Sequence, residues 1–166
     1  DHDLIITSGG VSAGEEDHVR AAIESVGKLY MWRLAIKPGR PIALGSIGGV
    51  TFIGLPGNTV AAMITFIMIA RPLILWMSGV ANTTLFKYSV LSGFTYEKKR
   101  GRREWVRVRL TNNADGVLTA YKEHPSGAGI LTSMVGAHGL VELPENTVRI
   151  EPGDHVLYIP FNGVFQ

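Results

Sequence analysis

A glycine-rich turn between a strand and a helix, near the start of the chain, constrains the fold more than any other feature. Residues 4–6 form a short apolar run, as expected of a strand covered on both faces, and the run leads into Gly9 and Gly10. Apolar residues then recur at helical spacing over residues 19–26. Such a turn points several backbone N–H groups at one place, which favours a bound anion such as a phosphate.

The pattern of strand and helix signals changes midway along the chain. Residues 1–80 alternate predicted strands (4–7, 30–36, 42–44, 50–55) with predicted helices (17–26, 58–77), which is typical of an α/β layer. The second half has only short strand-like runs, at 88–91, 105–111, 117–121, 139–143 and 156–159. We therefore predict an α/β domain at residues 1–80 and a small all-β, barrel-like domain at residues 84–166.

The predicted α/β domain has too few strands to be complete. A parallel sheet needs several strands, and the first half of this chain offers about four, judged by hydrophobic patterning. The first of them starts at the very first residues, with no initiator Met before it. We expect further sequence upstream to complete the sheet.

Composition argues against several classes of function. Sixteen Lys and Arg against fourteen Asp and Glu give a net charge of +2, too weak for non-specific nucleic-acid binding, and no base-stacking motif accompanies the basic loop at residues 98–103. The chain has no cysteine, which excludes disulfides and thiolate metal sites. Arg71 and Pro72 interrupt the apolar run that starts at Val60, short of the ~20 residues of a membrane span. We expect a buried core helix there, with neither nucleic acid nor membrane as partner.

Three turns of the first half each follow a predicted strand. Their sequences are Gly9-Gly10-Val11-Ser12, Lys37-Pro38-Gly39-Arg40-Pro41 and Gly54-Leu55-Pro56-Gly57-Asn58. Ligands of open α/β sheets bind beyond the carboxyl ends of strands, so parallel strands would bring all three turns to one crevice. Lys37 and Arg40 would add positive charge there, which indicates a ligand with more than one negative group. Asn58 is a good N-cap for the helix predicted after it. Each turn alone is ordinary connection chemistry, and only their combination indicates a function.

Patterning alone leaves the roles of the neighbouring charged residues open. Asp17 is either a first-turn acid favoured by the helix dipole or a carboxylate that helps to hold Mg²⁺ beside a phosphate. On the strand predicted at 105–111, Trp105, Arg107 and Arg109 share one face, and the apolar residues between them share the other. By pattern alone these arginines are a solvated face.

The three turn motifs together resemble one protein family. Ile-Thr-Ser-Gly-Gly-Val-Ser-x-Gly-x-x-Asp at residues 6–17, Lys-Pro-Gly-Arg-Pro at 37–41 and Gly-Leu-Pro-Gly-Asn at 54–58 are similar, in order and spacing, to the molybdopterin molybdenumtransferases. This is the MoeA family, which includes the E-domain of gephyrin. The resemblance covers essentially the whole chain. It implies that residues 1–80 are the C-terminal half of a MogA-like doubly wound molybdopterin-binding domain.

The resemblance also implies an activity and the residues that carry it. The activity is molybdenum cofactor biosynthesis, in which molybdate is inserted into molybdopterin while adenylylated molybdopterin is hydrolysed and AMP is released. Asp17 and Lys37 match catalytic positions, and Asp17 also matches a metal position for Mg²⁺ or another divalent cation. The implied pterin- and anion-binding residues are Gly9, Gly10, Ser12, Arg33, Gly57, Asn58 and Arg107. The implied setting is a cytoplasmic homodimer that works with other cofactor-biosynthesis proteins.

Three positions depart from the family pattern. Thr59 replaces a proline, and Ala61 and Ala128 stand where serines are common. Each lost hydroxyl removes a hydrogen bond worth about 1.5–3 kcal/mol to a charged ligand, which weakens the molybdate pocket more than the pterin pocket. The alternatives to an enzyme are a non-catalytic pterin-binding or gephyrin-like scaffold module and a generic phosphate-binding domain. We expect the chain to be inactive alone, because the rest of the site would lie upstream.

Overall fold

The structure, a computed structural model, describes residues 2–11, 18–123 and 132–164. The chain divides into two compact units, Asp1–Asn82 and Thr83–Gln166, called here the first and the second unit. The first unit combines a sheet with helices, and the second is built around a barrel of strands. The predicted fold class, an α/β domain followed by an all-β barrel-like domain, is confirmed.

The first unit is a four-stranded mixed sheet with helices on both faces. Its elements are β1 (Leu4–Ser8), α1 (His18–Val26), β2 (Gly27–Arg33), β3 (Ile36–Lys37), β4 (Pro41–Ile47), β5 (Val50–Leu55), α2 (Thr59–Thr65), a π-helical segment (Phe66–Ala70) and α3 (Arg71–Met77). The strand order is β1-β5-β4-β2. β1 pairs with β5 in parallel, whereas β4 is antiparallel to both β5 and β2. Because β4 runs against both neighbours, β1, β2 and β5 all point the same way.

The strand predicted at residues 30–36 is in fact two strands. β2 begins earlier, at Gly27, and ends at Arg33, and the two-residue β3 follows. The pairing of β2 with β4 is irregular, with register shifts between Leu29 and Met31 and between Met31 and Arg33. Such bulges bend a strand away from a straight course, and alternation of apolar residues does not reveal them.

Alternate residues of β4 and β5 belong to two separate apolar clusters, one on each face of the sheet. Ala43 and Phe52 pack with Ile23 of α1 on one face of the sheet. Ile42 and Ile53 pack on the other face with residues of the α2–α3 helical segment. A strand with apolar residues on both sides must be covered on both faces, which explains the unbroken apolar runs in its sequence.

The long helix predicted at residues 58–77 is present as one 19-residue helical segment, Thr59–Met77. α2 has four buried residues, but α3 has none and Trp76 is 69% exposed, so the expected core helix is buried only in part. By length and composition the segment, with a mean hydropathy of 2.0, is long enough to cross a membrane, a property it shares with core helices of water-soluble domains.

The second unit is a closed barrel of five strands. Its elements are β6 (Tyr88–Ser92), β7 (Tyr96–Glu97), β8 (Arg103–Asn112), β9 (Leu118–Lys122), α4 (Thr132–Val135), β10 (Gly139–Leu143), β11 (Arg149–Ile150), β12 (His155–Pro160) and a 3₁₀ turn (Phe161–Gly163). The strand order is β10-β12-β6-β9-β8, and β8 pairs with β10 to close the barrel. β7 and β11 form a separate two-stranded ribbon, which the sequence did not predict because two-residue strands show no periodicity.

The predicted faces of β8 are confirmed. Val106, Val108 and Leu110 contribute to the apolar core of the barrel. Arg109 is exposed on the opposite face, but Trp105 on that same face is buried. Trp105 therefore belongs to a packed outer layer, not to a solvated one.

Two buried carboxylates have well-defined partners in the second unit. Glu142, whose side chain is 4% exposed, accepts a hydrogen bond from Lys87 Nζ at 2.7 Å and another from Trp105 Nε1 at 3.1 Å. Glu104 accepts from Arg102 at 2.6 Å and from the hydroxyl of Tyr96 at 2.9 Å. A buried charge is tolerated only when it is paired and hydrogen-bonded, and both of these groups are.

Removing a buried carboxylate should therefore cost more stability than removing an exposed one. We expect Glu142→Ala to lower the free energy of unfolding by about 3 kcal/mol, because it leaves the Trp105 N–H and the Lys87 charge without their partner. Glu97→Ala is the matched control. It breaks an ion pair with Arg149 in which the Glu97 side chain is 72% exposed, and should cost less than about 1 kcal/mol. Urea unfolding followed by circular dichroism measures both; equal losses would contradict the structural role of Glu142.

Candidate functional site

A pocket at the edge of the first unit's sheet is lined by all three turns identified in the sequence. Its volume is about 340 Å³, and its lining residues are Gly10, Val11, Gly39, Pro41, Pro56, Gly57, Asn58 and Ala61. The first and third turns follow the parallel strands β1 and β5, so both lie at the carboxyl ends of strands. The second turn follows β3 and leads into β4. We call this concavity the turn pocket.

Hydrogen bonds to main-chain carbonyls hold the first and third turns together. The N–H of Gly9 donates to the carbonyl of Leu55 at 3.0 Å, and Ser8 Oγ donates to the carbonyl of Pro56 at 3.3 Å. Gly9 adopts a φ of +88°, and a Cβ added to Gly57 would lie 3.3 Å from the Cα of Gly9. A side chain at position 57 would oppose this close approach, and the positive φ favours glycine at position 9.

Asn58 begins the long helical segment and also lines the turn pocket. Its backbone is extended, and its side-chain Oδ1 accepts a hydrogen bond from the N–H of Ala61 at 3.1 Å, so it is the N-cap that the sequence predicts. With Oδ1 engaged in the cap, the Nδ2 amide is the part of the side chain suited to donate to a ligand. The first turn of the helix adds further N–H groups on this side of the pocket.

Basic residues flank the second turn. Lys37 ends β3 and precedes Gly39, and Arg40 lies between the lining residues Gly39 and Pro41. Arg33 ends β2 and pairs across the sheet with Pro41. All three basic side chains are exposed. The backbone positions of these predicted site residues thus adjoin the turn pocket, as expected for a site that binds anions.

Some of the predicted site residues lie outside the described part of the chain. These are Ser12 and Asp17, together with Ala128, one of the three departures from the family pattern. Among the described residues no group of three or more His, Cys, Asp or Glu side chains is placed to hold a metal ion.

Arg107 belongs to the second unit and differs from its neighbour Arg109. Arg109 is exposed and pairs with Glu123 at 3.0 Å, whereas Arg107 is partly buried on β8 opposite Leu140. Burial lowers the pKa of the Arg107 guanidinium, and the nearby Tyr96 partly counteracts that shift. An arginine nevertheless stays protonated at neutral pH. Arg107 is thus a positive charge with reduced solvation, which increases its attraction for an anion.

Several pocket residues were not singled out by the sequence as binding residues. Val11, Pro41 and Pro56 belong to the three turns and lie beside the predicted binding residues. Ala61 departs from the family pattern and is buried in the pocket wall. The sequence could have predicted this place for Ala61, because it follows Asn58 by three residues and the two therefore lie on one side of the helix.

Two alanine variants can separate the steric clash of a side chain at Gly10 from the backbone strain of a positive φ. A Cβ at Gly10 would overlap the side chain of Val19, and Gly10 has a φ of +67°. Gly49 has a φ of +86° but no atom within 4 Å of an added Cβ. Both alanine variants meet the left-handed strain of about 1–2 kcal/mol, and Gly10→Ala adds overpacking of about 1–3 kcal/mol. The difference between their free energies of unfolding isolates the second effect; no difference would mean that Val19 moves aside freely.

Two family models match the chain, one in each half. Residues 1–76 match the family described as "Probable molybdopterin binding domain". Residues 90–161 match the "MoeA C-terminal region (domain IV)". The two matches follow one another along the chain and fall in the first and the second unit.

Named relatives are similar over nearly the whole chain. A molybdopterin molybdenumtransferase of Haemophilus influenzae is 34% identical over 96% of this chain and 40% of its own length. The molybdenum cofactor synthesis protein cinnamon of Drosophila melanogaster is 33% identical over 87% of this chain and 24% of its own length. The chain thus spans less than half the length of these relatives.

A solved structure shows the same similarity in three dimensions. The crystal structure of a molybdopterin biosynthesis MoeA protein from Pyrococcus horikoshii aligns with a TM-score of 0.77 at 28% identity, over 96% of this chain and 37% of that protein. The sequence and fold comparisons therefore agree on proteins of molybdopterin biosynthesis. The chain belongs to the molybdopterin molybdenumtransferase family.

Proposed function

We propose that this protein acts in molybdenum cofactor biosynthesis as a molybdopterin molybdotransferase whose turn pocket binds the phosphate end of the pterin substrate. The observation that carries this proposal is the meeting of three strand-following turns around one pocket. The names of its relatives supply the substrate class.

The composition of the pocket wall suits a phosphate. Three of its lining residues are glycines and two are prolines, and none of the eight is acidic. Main-chain N–H groups near glycine can approach phosphate oxygens closely, and hydrogen bonds to a charged acceptor are about twice as strong as neutral ones. The volume of about 340 Å³ is at the lower end for ligand pockets. It therefore fits one end of a larger ligand.

The proposed reaction has a hydrolytic and an insertion step. Water attacks the adenylyl phosphorus of adenylylated molybdopterin and the phosphoanhydride bond breaks. AMP leaves, molybdopterin keeps its own phosphate, and a proton is released. In the insertion step the two dithiolene sulfurs bond to the molybdenum of molybdate, and one oxo ligand leaves as water with the two thiol protons. Lys37 is the residue of the first unit that we propose to hold the molybdate dianion, as cations and N–H donors hold phosphate. Arg107 is the anion-binding residue that we propose for the second unit, and its partial burial supports that role.

The dependence on Mg²⁺ or another divalent cation is part of the proposal and rests on Asp17. The described residues offer no cluster of acidic or histidine ligands, so we assign no step to the metal. The role of Asp17 is tested by measuring how the reaction depends on the metal in the parent protein and in an Asp17 variant.

A non-catalytic pterin-binding or scaffold module is the second candidate. The observation that favours it is Ala61, which lines the turn pocket where a hydroxyl would otherwise be available. Binding of the phosphate end needs only the main-chain groups, so this module would bind pterin without turning it over.

The deciding experiment measures AMP release from adenylylated molybdopterin by the full-length protein, with and without molybdate and Mg²⁺. We expect release that requires both. Asp17→Ala should abolish release while the circular dichroism spectrum stays unchanged; persisting activity would refute the metal role of Asp17. Pterin binding without any release would establish the scaffold candidate, and binding of AMP but not pterin would contradict the proposed pocket.

Asn58 allows the pocket's preference for anions to be tested without disturbing the helix. Asp and Asn are equally good N-caps, so Asn58→Asp should leave the free energy of unfolding within about 0.5 kcal/mol of the parent. Its carboxylate would repel a phosphate in the turn pocket, and we expect molybdopterin to bind at least about tenfold more weakly, which corresponds to about 1.4 kcal/mol.

Asn58→Ser is the matched control for that variant. Serine caps the helix as well but adds no charge, so its loss of affinity should be smaller than that of Asn58→Asp. Anaerobic titration calorimetry with molybdopterin measures both. Unchanged binding by Asn58→Asp would show that the phosphate does not lie at the start of α2.

We further propose a cytoplasmic homodimer that cooperates with other cofactor-biosynthesis proteins. Exposed apolar side chains at the end of α3, including Trp76 and Met77, support association with a further protein surface. The lack of cysteine is compatible with a reducing compartment. Light scattering of the full-length protein tests the dimer directly.

A further inference from the structure

The second turn is packed directly on the long helical segment behind the turn pocket. A Cβ added to Gly39 would overlap the methyl group Cγ2 of Thr65 and would lie 3.5 Å from the carbonyl oxygen of Ala61. Gly39 has a φ of +95°. Its backbone therefore lies over the groove between Ala61 and Thr65, which are four residues apart on one helix face. Gly39 and Ala61 both line the pocket, while Thr65 lies behind them.

The direction of the Thr65 methyl group is fixed by its hydroxyl. Thr65 is completely buried, at 0% exposure, and its Oγ1 donates to the carbonyl of Ala61 at 2.7 Å and also lies 3.1 Å from the carbonyl of Ala62. This bond to the preceding turn selects one side-chain rotamer, because the branched Cβ is stiff in a helix. The selected rotamer presents Cγ2 to Gly39.

The helix changes its winding at the same residue. The π-helical segment begins at Phe66, directly after Thr65, and the N–H of Phe66 is shared between the carbonyls of Ala62 and Met63. Threonine bonding to the carbonyl four residues earlier bends helices, and π turns often occur at functional sites. The irregularity thus lies one residue beyond the contact that supports the second turn.

We propose that Thr65 is a positioning residue for the turn pocket. It sets the separation between the second turn, at Gly39, and the first turn of α2, at Ala61, and so sets the width of the pocket. The ligand in this inference is the one named in the proposed function; the positioning role itself rests only on the packing.

Thr65→Ser removes the methyl group and keeps the hydroxyl. The hydrogen bond from the N–H of Leu34 to the carbonyl of Arg40, 3.0 Å long, closes the second turn and reports its rigidity. We expect hydrogen exchange at the Leu34 amide to become about tenfold faster. Molybdopterin should bind about fivefold more weakly, since the pocket is then less preorganised.

Two further variants separate positioning from general stability. Ile67→Val also removes one methyl group from a residue buried at 2% exposure in the same helical segment, and should cost about 0.5–1.5 kcal/mol of stability without changing Leu34 exchange or pterin affinity. Thr65→Val replaces the hydroxyl with a second methyl group and, in the parent rotamer, keeps a methyl group towards Gly39. Its affinity should stay within about twofold of the parent.

A double-mutant cycle with Gly39→Ala tests the contact itself. Alone, this variant should weaken pterin binding strongly, because its Cβ displaces the turn. In the Thr65→Ser background the methyl group of Thr65 is gone, and the new Cβ would lie 3.6 Å from the Cβ of residue 65. The backbone strain at Gly39 is common to both backgrounds and cancels in the cycle. We expect the loss of affinity to be at least about fivefold smaller in the double variant.

The outcomes separate this inference from the proposed function. Equal Leu34 exchange in Thr65→Ser and Ile67→Val, or an additive cycle, would overturn the positioning role even if the parent protein binds molybdopterin. If the parent does not bind molybdopterin, the proposed function fails, but Leu34 exchange still decides whether Thr65 holds the second turn.

Discussion

The parallel pairing of β1 with β5 is the constraint on which the turn pocket depends. Its last rung joins Ser8 to Leu55, and the next hydrogen bond runs from Gly9 to the carbonyl of Leu55. Two turns that are far apart in the sequence therefore leave the sheet at the same level. This register brings Gly9 and Gly57 together, and the lack of a side chain at position 57 permits their close approach. A shift of this register would move the ends of β1 and β5 apart and so separate the two turns, whatever their side chains.

The antiparallel strand β4 places the remaining wall of the pocket. Because β4 runs opposite to β5, it starts at the edge of the sheet where β5 ends. Pro41, its first residue, and Gly39 just before it therefore reach the same pocket as Gly57. The sequence predicted that parallel strands bring the three turns together. The second turn reaches the pocket although β4 is antiparallel, because it precedes β4 and β4 begins at the edge where β5 ends.

The sequence predicted the parts of the fold that depend on local signals. Strands such as Val50–Leu55, the N-cap Asn58 and the opposite faces of β8 follow from apolar periodicity and capping chemistry. The π-helical segment, the burial of Trp105 and the contact of Thr65 with Gly39 depend on tertiary packing between residues that no short window contains. In the site, motifs identified the turns, but only the structure revealed Ala61 in the wall and Thr65 behind it.

The glycines in the wall of the turn pocket have a consequence for how the pocket tolerates change. Peptide N–H groups are the same whatever side chain follows them, so most substitutions near the turn pocket leave its donors in place. The vulnerable positions are the few where a side chain is forbidden, such as Gly9, Gly10 and Gly39, each with a positive φ. The shape of the pocket is thus encoded in part by the absence of side chains, and it can persist while the surrounding sequence diverges.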